Sequence, residues 1–509
     1  MRHGNWMKKT LLLLAAFNAL AALRAAEPAL TIYNQNFAVV RDAVPLDLKT
    51  GVNDVRYNDI TAHVEPDSVT LRDPGGKTSL QILEQNYRND PVSEQLLLSF
   101  NEGKTIDFET DLGWGQKKVV QGKIIRSGYV PHGQSAMQRY GQPYYQSQMA
   151  MAGATSQPII EVEGKLQFAL PGRPVFPSLA DDTILKPQLA WKLNASQPGK
   201  CNAELAYVTG GMSWEADYNV VAPEKSDLLE ITGWVTIDNQ SGKTFDNAKI
   251  KLMAGDVSKI QPGRNEQAGG GAIFGMRDSA AQSQPVSEKT FDEYHLYTLQ
   301  RATTLHDRET KQVEFIRASG VQSQRVYVYD GLKLDWNRYR GWDMQNIRNN
   351  ESFGLEMDTK VAVMREFKNS EANHLGLPLP KGRVRFYKQD EDRQLEFTGE
   401  NVIDHTPKDE LMRIYTGNAF DLVGERRRTN WKIDTSRNYA DESFEIKVRN
   451  HKKEPVEIRV VEHLYRWLTW EITEKSGDFT KAAAQLIEFR VPLKPDEEKT
   501  LTYTVHYSW

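Results

Sequence analysis

Apolar residues recur at every second position over most of the chain, in short runs flanked by Gly, Asn, Asp and Pro. That period predicts half-buried strands joined by turns, and long stretches with helical period are scarce. Over 30–89 the segments around Ile32, 37–39, Val44/Leu46/Leu48, Val55/Tyr57 and Val69/Leu71 predict the strands of a small β-domain. Leu96/Leu98/Phe100, a turn at 101–104 and Ile106/Phe108 predict a hairpin, because Gly103 supplies the positive φ such a turn requires. The runs 119–125 and 159–168, the second turning at Gly164, add strands of a small barrel-like domain.

Three later segments share one design, in which an alternating strand leads to an Asn-centred turn and then to a second alternating strand. Leu229/Ile231/Val235/Ile237 precede Asn239 and Lys243, and Ala248/Ile250/Leu252 follow. Leu355/Met357/Val361/Val363 lead to Asn369, then through 377–382 to Val384/Phe386. Phe444/Ile446/Val448 lead through Asn450 and Pro455 to Val456/Ile458/Val460. Recurrent short strands with such turn signals are the pattern of immunoglobulin-like sandwiches, here without a Cys–Trp–Cys core signature. The expected fold is mainly β, with tandem β-domains that include a small barrel-like domain and immunoglobulin-like β-sandwiches.

Composition and the first residues add an address. Lys8 and Lys9 precede an apolar run, 11–23, broken only by Asn18, and small residues follow at Ala25 and Ala26. The run is too short to span a bilayer. The three parts together predict a signal peptide over 1–26, cleaved after Ala25 or Ala26, with Met7 as an alternative start. Cys201 is the one cysteine, far from the cleavage point, so neither a lipid anchor nor an internal disulfide nor a cysteine metal cluster is expected. No later segment reaches the roughly 18 consecutive apolar residues of a membrane helix. Lys and Arg number 64 against 68 Asp and Glu, a net charge of −4, which argues against a nucleic-acid binder. The expected protein is a released periplasmic or secreted one.

The length of 509 residues accommodates several domains. The expected boundaries are 27–92 for an N-terminal β-domain, 93–190 for the barrel-like domain, 191–350 for a central β-domain and 351–509 for a C-terminal β-sandwich. Two aperiodic stretches interrupt them. The insertion 127–157, rich in Gln, Gly, Tyr, Ser and Met, is expected to be disordered, and 261–288, with Gly269, Gly270 and Gly271, a flexible loop.

Several ordered phrases spread over nearly the whole mature chain resemble a bacterial envelope family of unknown function whose members are sometimes called mucoidy-inhibitor-like. They are LPGRPVFPSL (170–179), LAYVTGGMSWEADY (205–218), GWVTIDNQSGKTFDNAKIKLMAGDV (233–257), DEYHLYTL (292–299), RNHKKEPVEIRVVEHL (449–464) and TLTYTVHYSW (500–509). The resemblance implies a place in the cell envelope and a loose link to exopolysaccharide physiology. It implies no reaction that can be carried over residue by residue.

Candidate chemistry is sparse. Tyr294 and His295, beside Asp292 and Glu293, form the densest group of catalytic residue types. On a strand, alternation sends Asp292 and Tyr294 one way and Glu293 and His295 the other. No HExxH, GxSxG, P-loop or GxGxxG motif accompanies them. His451 and His463, with Glu462, are expected at opposite ends of a hairpin arm rather than around a metal. Tyr465, Trp467 and Trp470, in the run 465–470, are the best binding candidates, since exposed aromatics stack on sugar rings or a protein partner; the plain alternative is that they belong to a sandwich core. Arg426, Arg427 and Arg428 are expected in a solvated turn, and Pro171 to Pro177 in a rigid connector. The alternating end Leu501/Tyr503/Val505/Tyr507/Trp509 reads as the closing strand of the last sandwich or, alternatively, as the terminal strand of an outer-membrane barrel.

No catalytic residue, metal ligand or cofactor site is assigned from this pattern. The reading that follows is a non-enzymatic envelope protein presenting β-sandwich loops, with Tyr294, His295, Tyr465, Trp467 and Trp470 as binding residues, to a protein or polysaccharide partner. Two alternatives stand beside it. One is a carbohydrate-active hydrolase with carboxylates drawn from Asp217, Asp292 and Glu293, paired about 5–10 Å apart. The other is an outer-membrane-associated protein.

Overall fold

Two-residue periodicity becomes backbone almost throughout: the computed structural model is 62% strand and 5% helix, arranged in multiple sheets, the organisation of tandem β-sandwich domains. It describes residues 27–509 except 90, 114, 130–156, 178, 180–182, 224–225, 256, 258, 260–285, 292–293 and 336. The expected signal peptide 1–26, nearly all of the expected insertion 127–157 and most of the expected loop 261–288 therefore lie outside the described residues. No helix among the described residues is long and apolar enough to cross a membrane.

The chain divides into two compact units, Met1–Trp214 with Ile237–Lys311, and Glu215–Thr236 with Gln312–Trp509. In the first, an eight-stranded sheet runs in the order Val286–Phe291, Tyr294–Leu299, Phe245–Ala254, Ala29–Tyr33, Phe37–Leu48, Gly199–Gly210 and Thr70–Arg72, with Thr303–Leu305 on Phe245–Ala254. Ala29–Tyr33 lies parallel to Phe245–Ala254, so strands distant in sequence close this sheet's centre. A second sheet holds Gln188–Ala195 between Gly51–Tyr57 and Leu80–Arg88. A third, of five strands, runs from Arg173–Val175 through Thr105–Gly113, Gln116–Arg126 and Ile159–Val162 to Lys165–Gln167. This third sheet, at the expected barrel-like domain, stays open and packs Leu98, Ile106, Phe108, Ile124, Ile160 and Val162 into a small core.

The hairpin expected at 96–108 is half helix. Glu94–Phe100 is an α-helix whose N-cap, Ser93, accepts a hydrogen bond from the Leu96 N–H. Leu96 and Leu98, two residues apart, carry the strand period, but Glu, Gln and three leucines favour a helix and the serine cap starts one.

The second unit contains a nine-stranded sheet. Its order is Trp470–Lys475, Glu498–Ser508, Tyr439–Asn450, Leu411–Asp434, Lys360–Lys368, Gln324–Asp330, Val456–His463, Leu486–Leu493 and Phe479–Ala483. Tyr327, Tyr329, Phe444, Ile446, Val448, Ile458, Val460, Phe489, Tyr503, Val505 and Tyr507 share its core. The aromatic alternation of the last strand therefore points inward. Gly424 makes room for the ring of Tyr329: a Cβ there would stand 2.1 Å from it. The strand Lys360–Lys368 starts later than the pattern from Leu355 suggests, and Met357 makes only an isolated bridge to Leu332.

The repeated Asn design is a repeated structure. Asn239, Asn369 and Asn450 are fully buried. Asn239 donates through Nδ2 to the carbonyls of Lys243 and His306, both at 2.9 Å, and accepts the Ser241 N–H at 3.1 Å. Asn450 does the same with Glu454 (2.9 Å), Lys494 (3.0 Å) and the Lys452 N–H (2.9 Å). Asn369 uses Leu377 (2.8 Å), Pro407 (3.0 Å) and the Gly376 N–H (3.0 Å). In each case the distant carbonyl lies two residues before a left-handed residue, Arg308 (φ 59), Asp409 (φ 67) or Asp496 (φ 54). One amide carries both a donor and an acceptor, so a single side chain satisfies two turns that burial would otherwise leave unpaired.

Candidate binding surface

At one end of the nine-stranded sheet a scaffold of buried charges carries a row of aromatics. The basic run expected in a turn lies inside the long strand Leu411–Asp434, where alternation buries Arg426 and Arg428 and leaves Arg427 outside with Glu445. Arg426 Nε reaches both carboxylate oxygens of Glu462 at 3.0 Å, Arg426 Nη1 donates to the Gly354 carbonyl at 3.0 Å, and the Tyr503 hydroxyl donates to Glu462 at 2.5 Å. Burial opposes the charge on Arg426, yet Glu462 beside it holds the guanidinium pKa above its ordinary value. Burial and the Glu462 carboxylate push the Tyr503 hydroxyl well above the usual tyrosine value.

Arg466 continues this scaffold. Its Nε and Nη2 each lie 2.9 Å from Glu442, which also receives Arg428 at 3.1 Å. The remaining donors reach the carbonyls of Ile347 (2.7 Å), Arg348 (3.1 Å), Asn350 (3.0 Å) and Phe353 (3.1 Å). A planar fork of five N–H groups matches this many acceptors where an ammonium would not. Arg466 thereby fixes both its own loop and the short helix Met344–Asn349. Gln485 fixes the same loop from the other side by donating to the carbonyls of Leu464 (2.9 Å) and Trp467 (3.1 Å).

On this frame the candidate aromatics separate into two kinds. Tyr465 and Leu468 are exposed, 37% and 69% respectively. Trp467, Trp470 and Trp509 are half-buried and pack against the sandwich core. The Trp470 Nε1 donates to the Ala484 carbonyl at 2.9 Å, and Lys481 sits 4.8 Å from its ring centroid. Tyr465 stacks on His463 at 4.7 Å, and His463 pairs with Asp330 at 2.8 Å. Partial burial raises the Tyr465 pKa, helped by Asp330. Arg348 places its guanidinium carbon 4.4 Å from the Trp467 centroid and 5.2 Å from that of Trp509.

The other candidates belong elsewhere. Tyr294 and His295 are in the first unit, on the strand Tyr294–Leu299, half-buried and opposite Phe291 and Thr290. The Tyr294 ring covers Gly255 (φ 127), and His295 lies 6.5 Å from the Tyr297 ring. Asp292 and Glu293 lie outside the described residues. Asp217 is buried, accepts from the Thr236 hydroxyl at 2.9 Å and is flanked by Arg383 (3.7 Å) and Arg385 (3.9 Å), which places it in an ion pair. Among the described residues no group of three or more His, Cys, Asp or Glu could hold a metal. His451 follows one strand and His463 ends the next.

Two features escaped the sequence reading. In the first unit Lys243 is buried with Asp42 at 2.8 Å, the Asp59 carboxylate at 2.9 Å, the Asp59 carbonyl at 2.7 Å and the Tyr57 hydroxyl at 3.1 Å. Burial raises the Tyr57 pKa, with Asp42 and Asp59 adding to it. Nothing in a local sequence window brings Lys243 to residues 42 and 57. In the second unit Phe420 is 96% exposed where 420–422 bulge between the pairs Val361–Ala419 and Lys360–Val423; alternation had no place for it.

No protein-family model, curated protein or solved structure matches the chain.

Proposed function

We propose that this is an exported, non-enzymatic protein of the bacterial envelope that binds a protein or glycan partner through the loop end of its C-terminal β-sandwich. The observation that carries the reading is the 464–470 loop: Tyr465 and Leu468 face solvent beside the half-buried Trp467 and Trp470, while Arg466 and Gln485 hold the backbone that presents them. A rigid aromatic surface binds without losing much conformational freedom, and partly apolar rings with polar edges suit wet contacts. The N-terminal charge and apolar pattern, together with the resemblance to envelope proteins, supports the address. Tyr294 and His295, half-buried on a strand of the first unit, are secondary candidates for contact.

The test is capture from envelope extract by the immobilised protein and by Tyr465→Ser/Leu468→Ser, before and after protease treatment or periodate oxidation of the extract. Saturable capture reduced at least about tenfold by the double substitution, as for central hot-spot residues, is the expected result. Loss after protease assigns a protein partner and loss after periodate a glycan. Equal capture by both forms overturns the reading.

A further inference from the structure

Arg348 differs from the arginines around it. Arg426 has Glu462, while Arg428 and Arg466 share Glu442. No carboxylate among the described residues pairs with Arg348; its Nε donates to the Met344 carbonyl, one turn back in its own helix, at 3.2 Å. What faces its charge is aromatic, the Trp467 and Trp509 rings at 4.4 and 5.2 Å, both inside the roughly 6 Å over which a ring quadrupole attracts a cation.

Both rings are held independently of that cation. Trp467 and Trp509 pack on the sandwich core, the Trp467 carbonyl is bound by Gln485, and the Trp509 N–H donates to the Asn438 carbonyl at 2.9 Å. The backbone under Arg348 is held as well, because Arg466 grips the carbonyls of residues 347, 348, 350 and 353. The helix Met344–Asn349 has no buried residue, so the Arg348 side chain can swing to solvent without moving either the helix or the rings.

From this arrangement we infer that Trp467 and Trp509 form an aromatic cage for a guanidinium cation, filled in this state by Arg348, and that an arginine side chain of a partner enters by exchange with it. The inference rests on the reading of this loop end as the binding surface and names the group that surface takes. Arg348 is the internal competitor: a ligand meets the full affinity of the cage only in the fraction of molecules whose Arg348 has left.

The experiment uses the mature protein and follows the indole N–H resonances and tryptophan fluorescence during titration with Nα-acetyl-arginine amide. The neutral isostere Nα-acetyl-citrulline amide and the ammonium analogue Nα-acetyl-lysine amide serve as controls. Arg348→Ala, and Arg348→Gln as a second form that keeps much of the side-chain length, are expected to respond saturably to the arginine probe, roughly tenfold more tightly than the wild type. That step corresponds to a resident cation occupying the cage about nine-tenths of the time. Trp467→Ala placed on the Arg348→Ala background is expected to abolish the response. An equal response to the citrulline or lysine probe, or no response in either Arg348 variant with wild-type melting behaviour, overturns the inference. Should the cage fail while Tyr465→Ser/Leu468→Ser still removes partner capture, the binding surface stands and the guanidinium assignment alone is lost.

Discussion

Each unit buries a cation among oxygens, and the two solve the problem differently. Lys243 in the first unit gathers Asp42, Asp59 and Tyr57 around a compact ammonium, and Asp59 remains 56% exposed. Arg466 in the second unit is enclosed entirely, with a planar fork directed at Glu442 and the carbonyls of residues 347–353. Asp59, being largely exposed, can exchange a lost ammonium for water. The acceptors of a buried fork exchange less readily, because Glu442 and the Phe353 carbonyl are themselves buried. The first arrangement ties strands together, and the second also holds a loop that carries aromatics outward.

The comparison breaks most readily at Arg466. Arg466→Ala leaves Glu442 with Arg428 as its one remaining arginine and removes the donor from the carbonyls of residues 347, 348, 350 and 353, and is expected to destabilise the second unit by about 3–5 kcal/mol. Arg466→Lys should recover only part of this, since an ammonium has three donors. Denaturant unfolding followed by tryptophan fluorescence measures both, and a loss no greater than that of Lys243→Ala would erase the distinction. Lys243→Ala itself is expected to destabilise the first unit by roughly 1–3 kcal/mol, the range for an unpaired buried group that water partly reaches.

The Asn corners sharpen the comparison because the same device occurs in both units. Asn239→Ala and Asn450→Ala each free two buried carbonyls and one N–H and are expected to lose about 2 kcal/mol apiece, equal within error. Unequal losses would show that the surrounding unit, rather than the corner, sets the energy.

Alkali separates the units less sharply. Tyr57 in the first unit and Tyr503 in the second have pKa values raised above the ordinary tyrosine value of 10.0, by burial first and neighbouring carboxylates second. A raised pKa means that the neutral form is favoured in the fold. The stabilisation is therefore complete below about pH 10 and is lost as pH climbs above it, because the unfolded tyrosines ionise first. Unfolding midpoints between pH 8 and 11 should fall, and Tyr57→Phe or Tyr503→Phe should flatten the fall of its own unit. Acid should leave these two groups unaffected. The smallest effect is expected at the solvent face, where Tyr465→Ser/Leu468→Ser should shift stability by no more than about 0.5–1 kcal/mol while removing partner capture. A large loss of stability there would return those residues to the core.

Much of the fold is visible along the chain because a half-buried strand repeats every two residues and turns need particular residue types. Alternation located most strands, and the Asn residues marked three corners whose hydrogen bonds prove alike. Leu96 and Leu98 misled because their two-residue spacing is the strand period, while the helix-starting cap at Ser93 lies outside the alternating run. Arg426 and Arg428 misled because charged residues alternating in a strand carry no mark of which face is buried. Of the binding candidates, Tyr465, Trp467 and Trp470 were legible as an aromatic run. Arg348, over a hundred residues earlier in the sequence, was not, since its role depends on which rings the fold brings above it.

By itself the sequence determined the β character, the three Asn-centred corners and, with one cysteine, the absence of an internal disulfide, all of which follow from residue-level steric, hydrophobic and covalent facts. Tertiary structure alone decided which strands lie side by side, as when Ala29–Tyr33 joins Phe245–Ala254. It also decided which charges became buried pairs and which aromatics faced solvent. Those outcomes depend on long-range pairing, in which a charge gains its meaning from a partner that no local window contains.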